Sequence, residues 1–201
     1  AWIGLSMRLS QSGAALAATL VLIIGLVAPV NATVEFKGLS RTTEKIVRAT
    51  VALDDEPCTA PDARVRRLFR RADTQIRQAL EVYGYYAPTI DKMLARDKDC
   101  WRATFTIDRG PRVKLRDVQV GLTGPGESDR ALAAALRKSD DLDAGEGLNQ
   151  RAYDEFKASF ASTAQRRGYF DGRFATSRID VYPAELAADI TIDYASGERY
   201  R

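Results

Sequence analysis

The chain has 201 residues, with 30 Lys+Arg against 27 Asp+Glu, two cysteines and no histidine. Without histidine there is no Ser-His-Asp or Cys-His nucleophile and no His-containing metal site, and two cysteines cannot make a four-thiolate zinc site. A net charge of +3 is far below the basic excess of nucleic-acid-binding domains, so no nucleic-acid partner is expected.

Residues 1–32 carry no acidic residue, and Arg8 is their only charge. A polar start at Met7-Arg8 leads into an apolar run from Gly13 to Ala28, broken only by Thr19, and Pro29 closes it. Val30-Asn31-Ala32 then offers small residues at the −3 and −1 positions of a cleavage site. Basic start, apolar middle and small-residue exit are the order of a secretory signal peptide, with residues 1–6 as an extension ahead of Met7. The rival reading is an uncleaved anchor over Gly13 to Val30, near the lower length limit for a span. Export would place Cys58 and Cys100 in an oxidising compartment, where a structural disulfide is expected and two buried thiols are the alternative.

Beyond residue 32 the elements come in a fixed order. Val34-Glu35-Phe36, ending at Gly38, alternates as a short strand. Thr42 or Thr43 is placed to cap a short helix carrying Ile46, Val47 and Ala49. Asp54 to Pro61 reads as a polar loop holding Cys58. A long helix starts near Asp62, with Val65, Leu68, Phe69, Ala72, Ile76, Ala79, Leu80 and Tyr83 on one apolar stripe, and Gly84 is its stop. Ala87 to Leu94 reads as a strand and Arg96 to Asp99 as a turn. In the next strand Trp101, Ala103, Phe105 and Ile107 alternate with polar residues.

The same order then repeats. Gly84-Tyr85-Tyr86 returns as Gly168-Tyr169-Phe170, 84 residues on; Thr106-Ile107-Asp108 as Thr191-Ile192-Asp193, 85 on; and Gly110-Pro111-Arg112-Val113 as Gly197-Glu198-Arg199-Tyr200, 87 on. Val34 and Phe36 align with Val118 and Val120. The second unit opens with a strand over Leu115 to Leu122, followed by a helix capped by Ser128 that carries Leu132, Ala135 and Leu136. A helix capped by Asn149 turns Ala152, Phe156, Phe160 and Thr163 inward. Ala175, Ser177, Ile179 and Val181 then pair with Ala188, Ile190, Ile192 and Tyr194 across a turn at Pro183 to Leu186. The reading is β-α-α-β-β, twice, an α+β arrangement with two helices on one face of each small sheet.

Few motifs carry chemistry. Gly124-x-Gly126 lies between strand and helix, but Asp129 at the third glycine position would repel a phosphate and Pro125 removes a donor, so a plain turn is expected. Asp54-Asp55 and Asp140-Asp141 fall in polar loops, and the carboxylates lack calcium-loop spacing. No catalytic, cofactor-binding or metal residue is expected. Arg64, Arg67 and Arg71 make a basic face on the long helix, a candidate docking surface for an acidic partner segment or for anionic headgroups.

The repeat resembles tandem POTRA domains, the periplasmic arms of outer-membrane barrel proteins, and in particular those of the translocation and assembly module (TamA) family. The resemblance rests on the Gly84-Tyr85-Tyr86 helix exit, the Asp54-Asp55-Glu56-Pro57-Cys58 loop, the Asp99-Cys100-Trp101 strand entry, Arg167-Gly168-Tyr169-Phe170 and the Ser196-to-Tyr200 exit. It implies units at 33–111 and 112–197, each with a three-stranded mixed sheet, and the start of a third at 198–201. It also implies that the sequence is an N-terminal fragment, with the family's barrel expected beyond residue 201. A role in outer-membrane protein and autotransporter assembly follows from the resemblance, with an inner-membrane-anchored TamB-like partner and unfolded client proteins. Its sheet order would put two strands at an edge, where a partner strand can add: Thr89, Ile90 and Asp91 in one, Ala175, Ser177, Ile179 and Val181 in the other. The alternatives are the arm of a BamA or two-partner secretion barrel, and an FtsQ-type division scaffold anchored by residues 13–30.

Overall fold

A computed structural model of the chain describes residues 32–97, 100–138 and 142–200. The leader reading of residues 1–32 lies outside them except for Ala32, as does the Asp140-Asp141 pair. Two α+β units follow one another. The first runs β1 (Thr33–Lys37), α1 (Arg41–Thr50), a 3-10 turn, α2 (Asp62–Glu81), β2 (Thr89–Asp97) and β3 (Cys100–Asp108). The second runs β4 (Lys114–Thr123), a 3-10 turn, α3 (Arg130–Leu136), α4 (Gln150–Arg166), β5 (Arg173–Tyr182) and β6 (Ala187–Ala195). Each sheet is mixed and three-stranded, in the orders β1-β3-β2 and β4-β6-β5. The first strand of each unit runs parallel to the last, and the other pairing is an antiparallel hairpin.

Alternation in the central strands sets the two cores. Trp101, Ala103, Phe105 and Ile107 are all buried under the first unit's helices, with the Phe105 ring 5.5 Å from those of Phe36 and Phe69. Ala188, Ile190, Ile192 and Tyr194 do the same in the second, where Tyr194 meets Phe160 and Phe174 edge-on at 5.0 and 4.9 Å. Each such aromatic contributes about 2–3 kcal/mol on burial, which is why one polar residue in these positions would be felt. On α2 the residues Val65, Leu68, Ala72, Ile76, Ala79 and Leu80 form the buried stripe.

Several local expectations are corrected. The α1 cap is Ser40, whose hydroxyl accepts from the Thr43 N–H, and the α3 cap is Asp129, which accepts from Ala131, so Thr42, Thr43 and Ser128 do not cap. Arg96 and Asp97 lie within β2, opposite Trp101 and Cys100, so the strand runs further than expected. On α4 the inward residues include Tyr153 and Ala164, while Thr163 turns its hydroxyl back to the Ser159 carbonyl. A bulge at Ala175 sets Phe174, in place of Ala175, opposite Tyr194. The register also moves the repeat at the front of the units. Phe36 opposes Phe105, whereas Val118 opposes Ile190, so Phe36 corresponds to Val118 and the irregularity at Arg116 absorbs the difference.

Cys58 and Cys100 form a disulfide with a Cα–Cα distance of 4.4 Å. It ties the loop ahead of α2 to the entry of β3. Beside it Glu56 is buried, and its carboxylate takes two bonds from Arg64, at 2.8 and 2.7 Å.

The repeated Gly-Tyr motif is a helix exit. Tyr85 N–H donates to the Leu80 carbonyl and Gly84 N–H to Glu81; likewise Tyr169 donates to Ala164 and Gly168 to Gln165. These are paired Schellman closures, which need a positive φ at the glycine, here +83° and +92°. The last carbonyls of α2 are not left to solvent. Val82, Tyr83 and Gly84 accept from Gln150 N–H (2.8 Å), Arg112 Nε (2.8 Å) and Val113 N–H (2.9 Å). Arg112 also donates to the carbonyls of Gly147 and Leu148, and the Tyr86 ring packs against the second core. The orphan carbonyls of one helix end thus become the seat of the next unit.

Candidate functional site

An open sheet edge offers backbone donors and acceptors to another chain, and the four outer strands differ in what covers them. On β1 the Val34 carbonyl accepts from Arg48 Nη1 at 3.2 Å, and Arg48 is itself held by Asp54 (2.8 Å) and Glu44 (2.9 Å). Just before β1, Ala32 N–H donates to the Glu56 carbonyl. On β4 the outer side is paired near its start: Leu115 N–H donates to Glu146, Gly145 N–H to Leu115, and Lys114 bridges Gly147. Among the described residues no loop makes a backbone bond to β2 or β5. Those two edges, nine and ten residues long, are the open ones.

Thr89, Ile90 and Asp91 lie at the start of the β2 edge. Ile90 packs on the core, Thr89 and Asp91 are exposed, and Met93 further along is 63% exposed. Arg77 fixes the entry by donating to the Pro88 carbonyl. On β5, Ile179 and Val181 pack on the second core, Ser177 is exposed, and Ala175 is the exposed bulge residue. Both edges carry charges that discourage self-pairing, with Asp91 and Lys92 on β2 and the Arg178–Asp180 pair on β5. Sequence reasoning did not single out Met93, although an exposed thioether among charged neighbours on an edge was legible there.

The basic face is altered by the fold. Arg64 is committed to Glu56, whose carboxylate is held below its ordinary value chiefly by that hydrogen bond. Arg67 and Arg71 remain exposed and make no ion pair among the described residues, and Arg66 and Arg96 flank the Trp101 ring at 5.9 and 5.2 Å. The Gly124-x-Gly126 turn is closed to a ligand, since Gly126 N–H donates to the buried Ser196 hydroxyl and Gly124 N–H to Glu127. Burial would raise the Asp129 pKa, but the Ala131 N–H and the Arg167 guanidinium outweigh it and hold the carboxylate low. Asp129 is therefore a structural anion. No cluster of three metal-ligating side chains occurs among the described residues, and no helix among them is long and apolar enough to cross a membrane.

The comparisons bear on this frame. A family model described as POTRA domain, TamA domain 1, matches residues 33–109. Over that segment, a little over a third of the chain, the sequence is similar to a POTRA domain of the TamA type. The second unit repeats the first unit's fold strand for strand. Among solved structures, the chain is similar to POTRA domains 3–5 of Haemophilus influenzae BamA, at 18% identity and a TM-score of 0.46, covering 87% of this chain and 71% of that one. It is also similar to POTRA domains 1–2 of Anabaena Omp85, at 16% and 0.39, covering 86% and 98%. A third likeness is to CdiB from Escherichia coli, at 17% and 0.31, covering 90% of this chain but 30% of that one. Likenesses at this level carry no inference about partner or activity.

Proposed function

We propose that the chain is the periplasmic POTRA region of a TamA-like outer-membrane protein that takes part in translocating and assembling outer-membrane proteins and autotransporters. Residues 1–32 are its cleaved export signal, 33–111 and 112–197 its first two POTRA domains, and 198–201 the entry to a third. The observation that carries the reading is the TamA-type family match over 33–109. The open β2 and β5 edges supply the means: non-covalent strand addition by unfolded clients or by a TamB-like inner-membrane-anchored partner, with no bond chemistry.

The energetics suit a transient handler. A nine-residue edge presents about four outward backbone pairs. At a net of about 0.5–1.5 kcal/mol each, these yield roughly 2–6 kcal/mol before the ordering cost of the added strand, about 1–2 kcal/mol per residue. Only a client already extended, or one that also buries side chains beside Met93 or Ile179, is held. Backbone bonds are indifferent to sequence, so many clients fit one edge.

The test places photoreactive amino acids at Thr89, Met93, Ser177, Arg67 and Arg71, one at a time, in exporting cells. Adducts with outer-membrane precursors or with the inner-membrane-anchored partner are expected at the three edge positions. Adducts confined to Arg67 and Arg71 would move binding to the basic helix face, and adducts at none of the five would refute the reading.

A further inference from the structure

The helix layers of the two units differ. Counted from the caps, Ser40 on α1 and Asp129 on α3, the pair Lys45 and Ile46 corresponds to Ala134 and Ala135. Counted back from the exit glycines, Ala72 and Ile76 of α2 correspond to Phe156 and Phe160 of α4. Ile46 packs on the first core. An alanine is too short to fill that place, and a groove of about 640 Å³ stays open between α3 and α4. Phe156 and Phe160 are its floor, and Ala131, Ala134 and Ala135 are one wall.

The ends of the groove are charged. Arg167 near the end of α4 donates to Asp129 at the start of α3 at 3.0 Å, so the two helices run antiparallel. Arg166 therefore stands at the Ala131 end of the groove and Lys138 at the other. Arg166 donates to the Ser162 and Thr163 hydroxyls. Neither cation has a carboxylate partner among the described residues. The third charge on the rim, Glu155, is already held by Arg151 at 2.7 Å. An apolar floor thus lies between two unpaired cations.

The walls decide the kind of occupant. Both are helices whose backbone groups are spent internally, so a strand would find nothing to pair with. A peptide in this groove satisfies its own N–H and C=O groups only as a helix. An amphiphile with a single anionic head matches one end and leaves the other cation alone. A second copy of the chain has no such helix to offer, since among the described residues the exposed large apolar side chains all lie outside the α-helices. Residues 1–32 hold no acidic residue, so they do not complement the ends either.

We propose that the α3–α4 groove is a docking site for an amphipathic helix of another protein, apolar on the face that meets Phe156 and Phe160 and acidic at both ends of that face. From Ala131 to Lys138 the groove runs about 10 Å along α3, which takes two turns of the occupant. Its apolar residues then fall at i, i+3, i+4 and i+7, with the acidic residues just outside them. The alanine wall lets the helix axis approach closely. The groove uses neither the β2 nor the β5 edge, so the proposal stands or falls apart from strand addition.

The probe is a fluorescein-labelled helical peptide of about 14 residues, with leucines at i, i+3, i+4 and i+7 and a glutamate on either side of them. Anisotropy measures its binding to the full chain, and alanine methyl shifts locate it. Saturable binding with shifts at Ala131, Ala134 and Ala135 is expected. Lys138→Glu with Arg166→Glu should weaken it at least about tenfold, and should instead take up the peptide whose glutamates are replaced by lysines. Both positions are exposed, so the pair leaves the second core intact. Ala135→Ile, which copies Ile46, should block binding with every charge unchanged; Ala134→Gln, at an exposed position, is the second blocking variant. Shifts confined to β2 or β5, equal affinity for the lysine peptide, tighter binding of dodecanoate in the same groove, indifference to both blocking variants, or no shift up to about 1 mM peptide would each overturn the proposal.

Discussion

Gly84→Ala tests whether the helix exit is the hinge-free joint between the units. Gly84 has a φ of +83°, and a Cβ there would sit 3.1 Å from Leu148 Cβ, 3.1 Å from the Leu148 carbonyl and 3.1 Å from the Val113 carbonyl. Two costs combine. The left-handed conformation costs an L-residue about 1–2 kcal/mol, and crowding three atoms that cannot swing away adds about 1–3 kcal/mol. A total of about 2–5 kcal/mol is expected. Gly145→Ala is the control, because its φ is +94° but nothing lies within 4 Å of its added Cβ. That change should cost only the backbone part, about 1–2 kcal/mol. Urea unfolding of the folded chain, followed by tryptophan fluorescence from Trp101 and by circular dichroism, measures both. Gly84→Ala should also split a shared transition into two, since the contacts it displaces belong to the second unit. Equal losses for the two substitutions, or a single cooperative transition in Gly84→Ala, would refute the argument.

Reduction of the Cys58–Cys100 bond should lower stability by about 4 kcal/mol for its 42-residue separation on the chain-entropy account, read as a reductant-dependent midpoint in urea; Cys58→Ser with Cys100→Ser should match it. Stability should be flat from about pH 5.5 to 8, since no histidine is present to titrate. Asp129 and Glu56 have pKa values lowered on folding, so their contribution is complete above the unfolded carboxylate values and is lost as pH falls below about 4. Thermal melts against pH should show the fall, and Asp129→Asn should weaken it while costing about 1–3 kcal/mol at neutral pH through the charged acceptor lost to Arg167, since the asparagine oxygen still caps the helix. Arg48→Ala should uncover the Val34 carbonyl on β1 and increase concentration-dependent association, measured by sedimentation. An unchanged sedimentation profile would mean that Arg48 does not guard that edge.

Strand alternation from Trp101 to Ile107 and the 3.6-residue stripe on α2 were legible because burial imposes its period directly on the sequence. The glycine exits were legible for a related reason, since only glycine takes the left-handed turn without a Cβ clash, and the motif was written twice. The caps were not, because Ser40 competes with Thr42 and Thr43, and Asp129 with Ser128, and only the entry angle of the chain selects one. The Ala175 bulge slipped past because a single inserted residue leaves the pairs of Ser177, Ile179 and Val181 in place and displaces only Phe174 and Arg173, at the strand's start. Arg64 looked like free surface charge until the fold buried Glu56 beside it.

The sequence by itself determined which segments are helix or strand, that there are two copies of one unit, and where each helix stops, because all of these depend on residues within one turn or one pleat of each other. The tertiary structure alone decided which of the four outer strands are covered. Arg48 reaches β1 from α1, and the 145–148 segment folds back on β4, through contacts between residues whose pairing leaves no local period. It alone also showed that Arg112 and Tyr86 belong to the joint between units, since a side chain's partner across two cores is fixed by packing and not by its neighbours in the chain.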